Sequence, residues 1–191
     1  MLRLNLKKEL IKSNMTTSIM TDKFIVYTDG ACRNNGKASA ISSIGIYFSN
    51  RNLQKIDNVS EILKVSGVSK VSKHTNNIAE LAAINKSLIS IKDNDIKLPV
   101  YLCTDSEYSL NVLTKWYPKW TEKQKQTKKN VPLIKDTYEL CLDVNPKIHH
   151  IKAHTNLEDE HSLGNAIADK LANDALDKFE KENMGIMKYF Q

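Results

Sequence analysis

The stretch Lys23-Phe24-Ile25-Val26-Tyr27-Thr28-Asp29-Gly30-Ala31-Cys32 (KFIVYTDGAC) decides how the rest of the chain is read. Its β-branched and aromatic run, Phe24 to Tyr27, predicts a buried strand that ends by setting an acid against a glycine. An ionised carboxylate is costly to bury alone. Asp29 at the end of a core strand therefore needs hydrogen-bond donors, a basic partner or a metal ion.

A second stretch repeats the device. Pro99-Val100-Tyr101-Leu102-Cys103-Thr104 reads as another buried strand and runs into Asp105. If the two strands are parallel neighbours, both acids emerge at one sheet edge, where open α/β sheets bind ligands. Ile41–Phe48 and Glu61–Ser69 read as second and third strands, joined by short polar links that suggest antiparallel hairpins. From Thr75, a good helix N-cap, the period changes: Ile78, Leu81, Ala82, Leu88 and Ile89 recur at helical spacing. A helix from Ser106, another from about Pro132 to Leu142 with proline in its first turn, a strand at Lys147–Lys152 and a last helix from Gly164 to Lys181 complete the order. The pattern β-β-β-α-β-α-α-β-α predicts a mixed sheet flanked by helices, an α/β sandwich. It places one domain at 23–181, a flexible N-terminal tail at 1–22 and a C-terminal tail at 182–191.

Composition narrows the classes. The chain has 191 residues, 41% hydrophobic and 26% charged, ordinary values for one globular domain. No apolar run approaches the roughly 18 residues of a membrane span. Cys32, Cys103 and Cys141 are odd in number and widely spaced, which argues against a disulfide framework, a disulfide-linked partner or a cysteine zinc site. A reducing compartment, cytoplasmic or nuclear, and a monomer are the expectations. With one arginine and one glutamate, the leader is only a weak match to an organellar presequence. Between Lys115 and Lys135 seven lysines face one acid, Glu122, so this segment accounts for the whole formal excess of +6. It also holds both tryptophans, Trp116 and Trp120, whose four-residue spacing predicts one shared helix face.

Two more acids stand among small apolar residues: Glu80 in Ala79-Glu80-Leu81-Ala82, and Asp169 in Ala166-Ile167-Ala168-Asp169-Lys170-Leu171-Ala172. Each acid alone would ordinarily be a turn former or a solvated helix position. Four of them converging on one edge would repel unless cations neutralised them. Oxygen donors without His or Cys suit Mg²⁺ or Mn²⁺. Two such ions about 3.5–4 Å apart form a phosphodiester-cleaving arrangement.

The blocks TDGAC, TNNIAELAAI, LCTDSEYSLNVLTKW and IKAHT…GNAIADKLA resemble, in order, the signature blocks of the type 1 ribonuclease H family, over roughly residues 23–177. The resemblance implies a ribonuclease H-like fold with a five-stranded mixed sheet. It implies a metal-dependent endonuclease, a hydrolase that cuts the RNA strand of RNA–DNA hybrids with two Mg²⁺ ions, Mn²⁺ substituting, and leaves 5′-phosphate and 3′-hydroxyl ends. By motif position its catalytic and metal-binding carboxylates fall on Asp29, Glu80, Asp105 and Asp169. Asn35, Asn76 and Asn77 fall on its minor-groove positions, Thr75 and Asn130 on its phosphate pocket, and Tyr108 and Trp116 on its DNA channel. The Lys/Trp segment with Trp120 falls on its basic protrusion. Asparagine offers both a donor and an acceptor, as reading a 2′-hydroxyl requires.

Departures from the family pattern are visible. The loop from Trp120 to Asn130 is shorter than in well-known bacterial members, and the turn Gly36–Ala40 is poorer in glycine. The family's mobile histidine falls on His154 by its strand context, although 15 residues separate it from Asp169; His161, 8 residues away, is the alternative. The leader is too short for the family's separate hybrid-binding module. Integrase-, transposase- or resolvase-type nucleases share the fold, and a non-catalytic binding module is the third reading. The TNN…E block disfavours the former, and the presence of all four acids disfavours the latter.

Overall fold

The computed structural model of the chain describes residues 23–49, 56–64, 73–152 and 159–187. Five strands form one sheet: β1 (Phe24–Arg33), β2 (Ile41–Phe48), β3 (Val59–Ile62), β4 (Val100–Thr104) and β5 (Lys147–His150), in spatial order β3-β2-β1-β4-β5. β1 pairs antiparallel with β2, from Val26↔Phe48 to Arg33↔Ile41, and β2 pairs antiparallel with β3. β1 pairs in parallel with β4 from Phe24↔Val100 to Thr28↔Thr104, and β4 with β5. The sheet is mixed, as the sequence predicts. The third strand begins two residues before the Glu61–Ser69 expectation and ends at Ile62, so it overlaps that stretch only at Glu61 and Ile62; residues 65–69 lie outside the described residues, as do the leader 1–22 and His154.

Helices cover both faces. α1 (Asn76–Asp93) begins at Thr75, whose hydroxyl accepts the Ile78 amide at 3.3 Å. Together with α4 (Val131–Val144) it buries the face formed by Phe24, Val26, Ile44, Ile46 and Phe48, supplying Ile78, Leu81, Ile84, Leu88, Leu133 and Ile134. The opposite face, with Ile25, Tyr27 and Cys103, takes α5 (Glu160–Met187) through Ala168.

α5 starts earlier than the Gly164 expectation, because Asp159 caps it. The Asp159 carboxylate accepts the amides of His161 and Ser162 at 3.0 and 3.1 Å and the Ser162 hydroxyl at 2.6 Å. Gly164 is then interior to the helix, where a Cβ would fall 2.3 Å from the Tyr27 ring. The helix also runs past Lys181.

Between β4 and α4 the chain is more broken than one helix. α2 (Glu107–Asn111), capped by Ser106, passes into a π-helical turn (Val112–Trp116), a 3₁₀ turn (Tyr117–Lys119) and α3 (Glu122–Thr127). α3 carries a capping box between Thr121 and Gln124. Pro118 cannot continue a helix through this stretch, and Trp120 is extended at φ −70°, ψ 134°. The expectation that Trp116 and Trp120 share one helix face is therefore corrected.

Cys32, Cys103 and Cys141 are all free thiols. No helix among the described residues is long and apolar enough to cross a membrane.

Two backbone contacts set how closely the helices approach the sheet. A Cβ on Gly30 would lie 2.2 Å from the Glu80 nitrogen, and one on Gly45 would lie 2.0 Å from the Ala168 carbonyl oxygen. Gly45→Ala should therefore push α5 off β2 and destabilise the protein by about 1–3 kcal/mol or more, read as a lower urea midpoint. An unchanged midpoint would mean that the helix is not seated on that strand.

Candidate active site

The parallel register of β1 and β4 ends at Thr28↔Thr104, so Asp29 and Asp105 each stand one residue beyond it at the same edge. Glu80 arrives from the opposite side, carried by the first turns of α1 where that helix touches Gly30. Asp29, Glu80 and Asp105 each present a carboxylate oxygen within 4.8 Å of the others. Asp29 is 8% exposed and Glu80 7%. Asp169, on α5, lies close enough to raise the proton affinity of Asp29 by its charge.

Few donors meet these acids. The Gly30 amide donates to Asp29 Oδ1 at 2.7 Å. Asn165 Nδ2 donates to Asp105 Oδ2 at 3.0 Å, and Asn173 Nδ2 to Asp169 Oδ1 at 2.8 Å. Glu80 Oε2 is buried without a hydrogen-bond partner, and so is Asn165 Oδ1. Among the described residues no lysine or arginine forms an ion pair with any of the four acids.

The result is a site that prefers protons or cations. Burial first, then the charges of Asp105 and Asp169, push the Asp29 carboxyl up to about 7. Burial first, then Asp29 and Asp105, push Glu80 up to about 10. An all-oxygen donor set with an unpartnered buried carboxylate oxygen fits a hard divalent cation.

The substrate-binding candidates of the sequence fall into two neighbouring clefts. Asn35, Thr75, Asn76, Asn77 and Asn130 line a cleft of about 290 Å³, joined by Lys73 and Lys129. Tyr108, Trp116 and Trp120 line a groove of about 410 Å³ with Val112, Thr127, Lys128 and Lys129. Lys129 belongs to both. Asn130 is held at φ 62°, a left-handed conformation asparagine tolerates, and its Nδ2 lies 3.4 Å from the Tyr108 hydroxyl.

The two tryptophans have different roles in this groove. Trp116 is 43% exposed and meets the Tyr108 ring edge-on at 6.3 Å. Trp120 packs against the main core and the Tyr117 ring, with Lys128 Nζ 5.7 Å above it.

His161 is not with the carboxylate cluster. Its Nδ1 lies 3.1 Å from the Tyr27 hydroxyl and 3.8 Å from Cys103 Sγ, at the N-terminal end of α5. Three residues join the site without a sequence signal for their roles. Lys73 and Asn165 are two of them; a lysine in a polar link and an asparagine in a helix carry no local mark of what they face. The third, His150, places Nε2 3.1 Å from the Asp105 carbonyl oxygen; its position at a strand end is legible in the sequence, its contact is not.

Comparison with known proteins agrees with this architecture. The RNase H family model matches residues 21–177. The chain is 33% identical over 157 residues to a ribonuclease H of Ruthia magnifica subsp. Calyptogena magnifica, a match covering 82% of this chain and 97% of that one. It is 31% identical over 157 residues to a ribonuclease H of Schizosaccharomyces pombe, covering 80% of this chain and 52% of the fission-yeast protein, so it spans about half that protein's length. In structure it is similar to the PFV RNase H domain, with a TM-score of 0.57, 25% identity, and 80% and 93% of the two chains covered. The fold is also that of LC11-RNase H1 solved with an RNA/DNA hybrid: TM-score 0.56, 21% identity, 81% and 97% covered.

The raised carboxyls give a pH signature. Because Asp29 is held above its ordinary 3.8, the metal-free folded protein binds more protons than the unfolded chain from there to about pH 7. Stability falls as pH rises through that window, and Glu80 extends the fall towards about pH 10. In chelator, the thermal midpoint should drop between about pH 5 and pH 8, and the drop should shrink in Asp29→Asn. An equal drop in both proteins would mean that Asp29 is not under this strain.

Proposed function

The chain belongs to the ribonuclease H family, and from that premise we propose that it is an endonuclease cutting the RNA strand of RNA–DNA hybrids to leave 5′-phosphate and 3′-hydroxyl ends. The observation that carries this reading is the convergence of Asp29, Glu80 and Asp105, with Asp169 beside them, on one sheet edge where no lysine or arginine among the described residues forms an ion pair with them. Asp29, Glu80, Asp105 and Asp169 would hold two Mg²⁺ ions, Mn²⁺ substituting, which when bound activate water and neutralise charge on a leaving oxygen.

The chain's own residues do the rest. Asn35, Asn76 and Asn77 offer side-chain amides to ribose 2′-hydroxyls along the smaller cleft. Thr75 and Asn130, flanked by Lys73 and Lys129, would hold a backbone phosphate there. Trp116, with Tyr108 at its edge, gives the larger groove an apolar wall for deoxyribose, while Lys128 and Lys129 supply charge. Trp120 secures that wall from behind. Asn165 holds one Asp105 oxygen in place.

The proton-moving histidine on this reading is His154. His161 is already engaged with the Tyr27 hydroxyl, which supports that choice over the alternative.

Incubating the protein with matched RNA–DNA hybrid, duplex RNA and duplex DNA in Mg²⁺ tests the proposal. Cleavage confined to the RNA strand of the hybrid is expected, abolished by a short deoxyribonucleotide run at the cut site. Efficient cutting of all-DNA duplex would refute it. Asp29→Asn should lower turnover by orders of magnitude while the fold survives, measured at saturating hybrid; near-normal turnover would remove Asp29 from the site.

A separate prediction isolates binding. Lys128→Gln with Lys129→Gln should weaken hybrid affinity and flatten its log–log salt dependence by about 0.9 for each phosphate no longer neutralised, with turnover at saturation unchanged. An unchanged slope would mean these lysines form only a solvated face.

A further inference from the structure

His74 lies between two residues of the smaller cleft but does not line it. Lys73 and Thr75 both face that cleft. The His74 ring turns inward instead, and its Nδ1 accepts the backbone N–H of Ser42 at 3.0 Å. Ser42 stands near the start of β2, opposite Cys32 and next to the turn that carries Asn35. Its carbonyl accepts the Leu63 amide at 2.8 Å, just beyond the last β2–β3 pair, Ser43↔Ile62. In a continuing antiparallel ladder a facing residue would exchange both bonds with Ser42. Here the imidazole takes the Ser42 N–H, so a side chain 32 residues away stands in for one half of a rung.

We propose that His74 is a positioning residue that fixes the spacing between the Asn35 turn and the Thr75–Asn77 segment, and so sets the width of the cleft that grips the RNA strand. The inference rests on the proposed hybrid-cleaving function for its substrate, but its geometry is independent of it. Three segments distant in sequence line the cleft: the β1–β2 turn through Asn35, the lead into α1 through Lys73 and Thr75 to Asn77, and the α3–α4 junction through Lys129 and Asn130. The Ser42–His74 bond joins the root of the first to the root of the second. Accepting an N–H requires Nδ1 to be free of a proton, which places the ring proton on Nε2. Burial, which pushes the His74 ring below its ordinary pKa, favours that neutral form.

The role is tested with His74→Leu, which keeps bulk and loses the acceptor, and His74→Asn, whose Oδ1 can occupy the place of Nδ1. His74→Leu should raise KM for hybrid by about tenfold, the size expected for losing one partly buried hydrogen bond, with kcat unchanged. It should also speed hydrogen exchange at the Ser42 amide and shift the amide resonances of Asn35, Asn76 and Asn77. His74→Asn should restore both readouts. Equal KM in wild type and His74→Leu, or a fall in kcat and thermal midpoint that His74→Asn does not reverse while KM stays constant, would overturn the proposal. The exchange and resonance measurements need no cleavage. A protein that cuts no hybrid, yet shows the Leu-sensitive, Asn-rescued exchange, would remove the proposed function and leave the positioning contact standing.

Discussion

Glu80 reaches Asp29 only because α1 lies with its backbone directly on β1. That contact is possible at one residue, Gly30, where any Cβ would enter the space of the Ala79 carbonyl carbon and the Glu80 nitrogen. The small side chain of Ala79, fully buried, completes the approach. The acid pair is therefore built by subtraction, through the removal of side-chain volume between a strand end and a helix turn. The same device recurs on the other face, where Gly45 admits the backbone of α5 at Ala168 and Ala172 and brings Asp169 up to the site. Tight packing of this kind is stiff, because close-packed interiors transmit rather than absorb small displacements. It lets the fold hold like charges together that would otherwise move apart.

Much of this is readable from local pattern. Asp29 and Asp105 each follow an apolar strand and a threonine, and strand parallelism alone then brings them together. Glu80 and Asp169 are marked by their alanine neighbours, and Thr75 by its capping chemistry. What is not readable depends on partners far away in sequence or on the competition between local signals. Asn165 gains its meaning from Asp105, 60 residues earlier. Glycine at 164 reads as a helix boundary and so sets the expected start of α5 too late. It is needed inside the helix to clear the Tyr27 ring, and Asp159 supplies the true cap. The tryptophan spacing suggests one helix face, but Pro118 and the π-helical turn re-aim the chain between them.

The uneven charge of the chain now has a place in the fold. The lysine-rich segment of the sequence becomes α3 and its flanks, and two of its cations are organised by aromatic rings: half-buried Lys125 over Tyr117 at 5.1 Å and exposed Lys128 over Trp120 at 5.7 Å. Lys125 also pairs with Glu122 at 2.9 Å, and Lys128 and Lys129 are the lysines of this segment that line the grooves, with Lys73 joining them from the lead into α1. The acidic edge and the basic rim are thus carried by different elements, so charge that would attract a polyanion does not neutralise the carboxylates that would hold cations.

Lys129 borders both clefts, one lined by asparagines and one by aromatic rings. On the proposed reading, the protein behaves as a bivalent receptor whose two weak half-sites are held at a fixed separation by the α3–α4 junction. Such a receptor gains its grip by chelation: once one strand is seated, the second is presented at high effective concentration, provided the span between the strands matches. A free single strand fills one half-site and forgoes that advantage. A duplex of the wrong groove width fails to fill the second even when every individual contact is available to it. Discrimination then comes from distance as much as from chemistry.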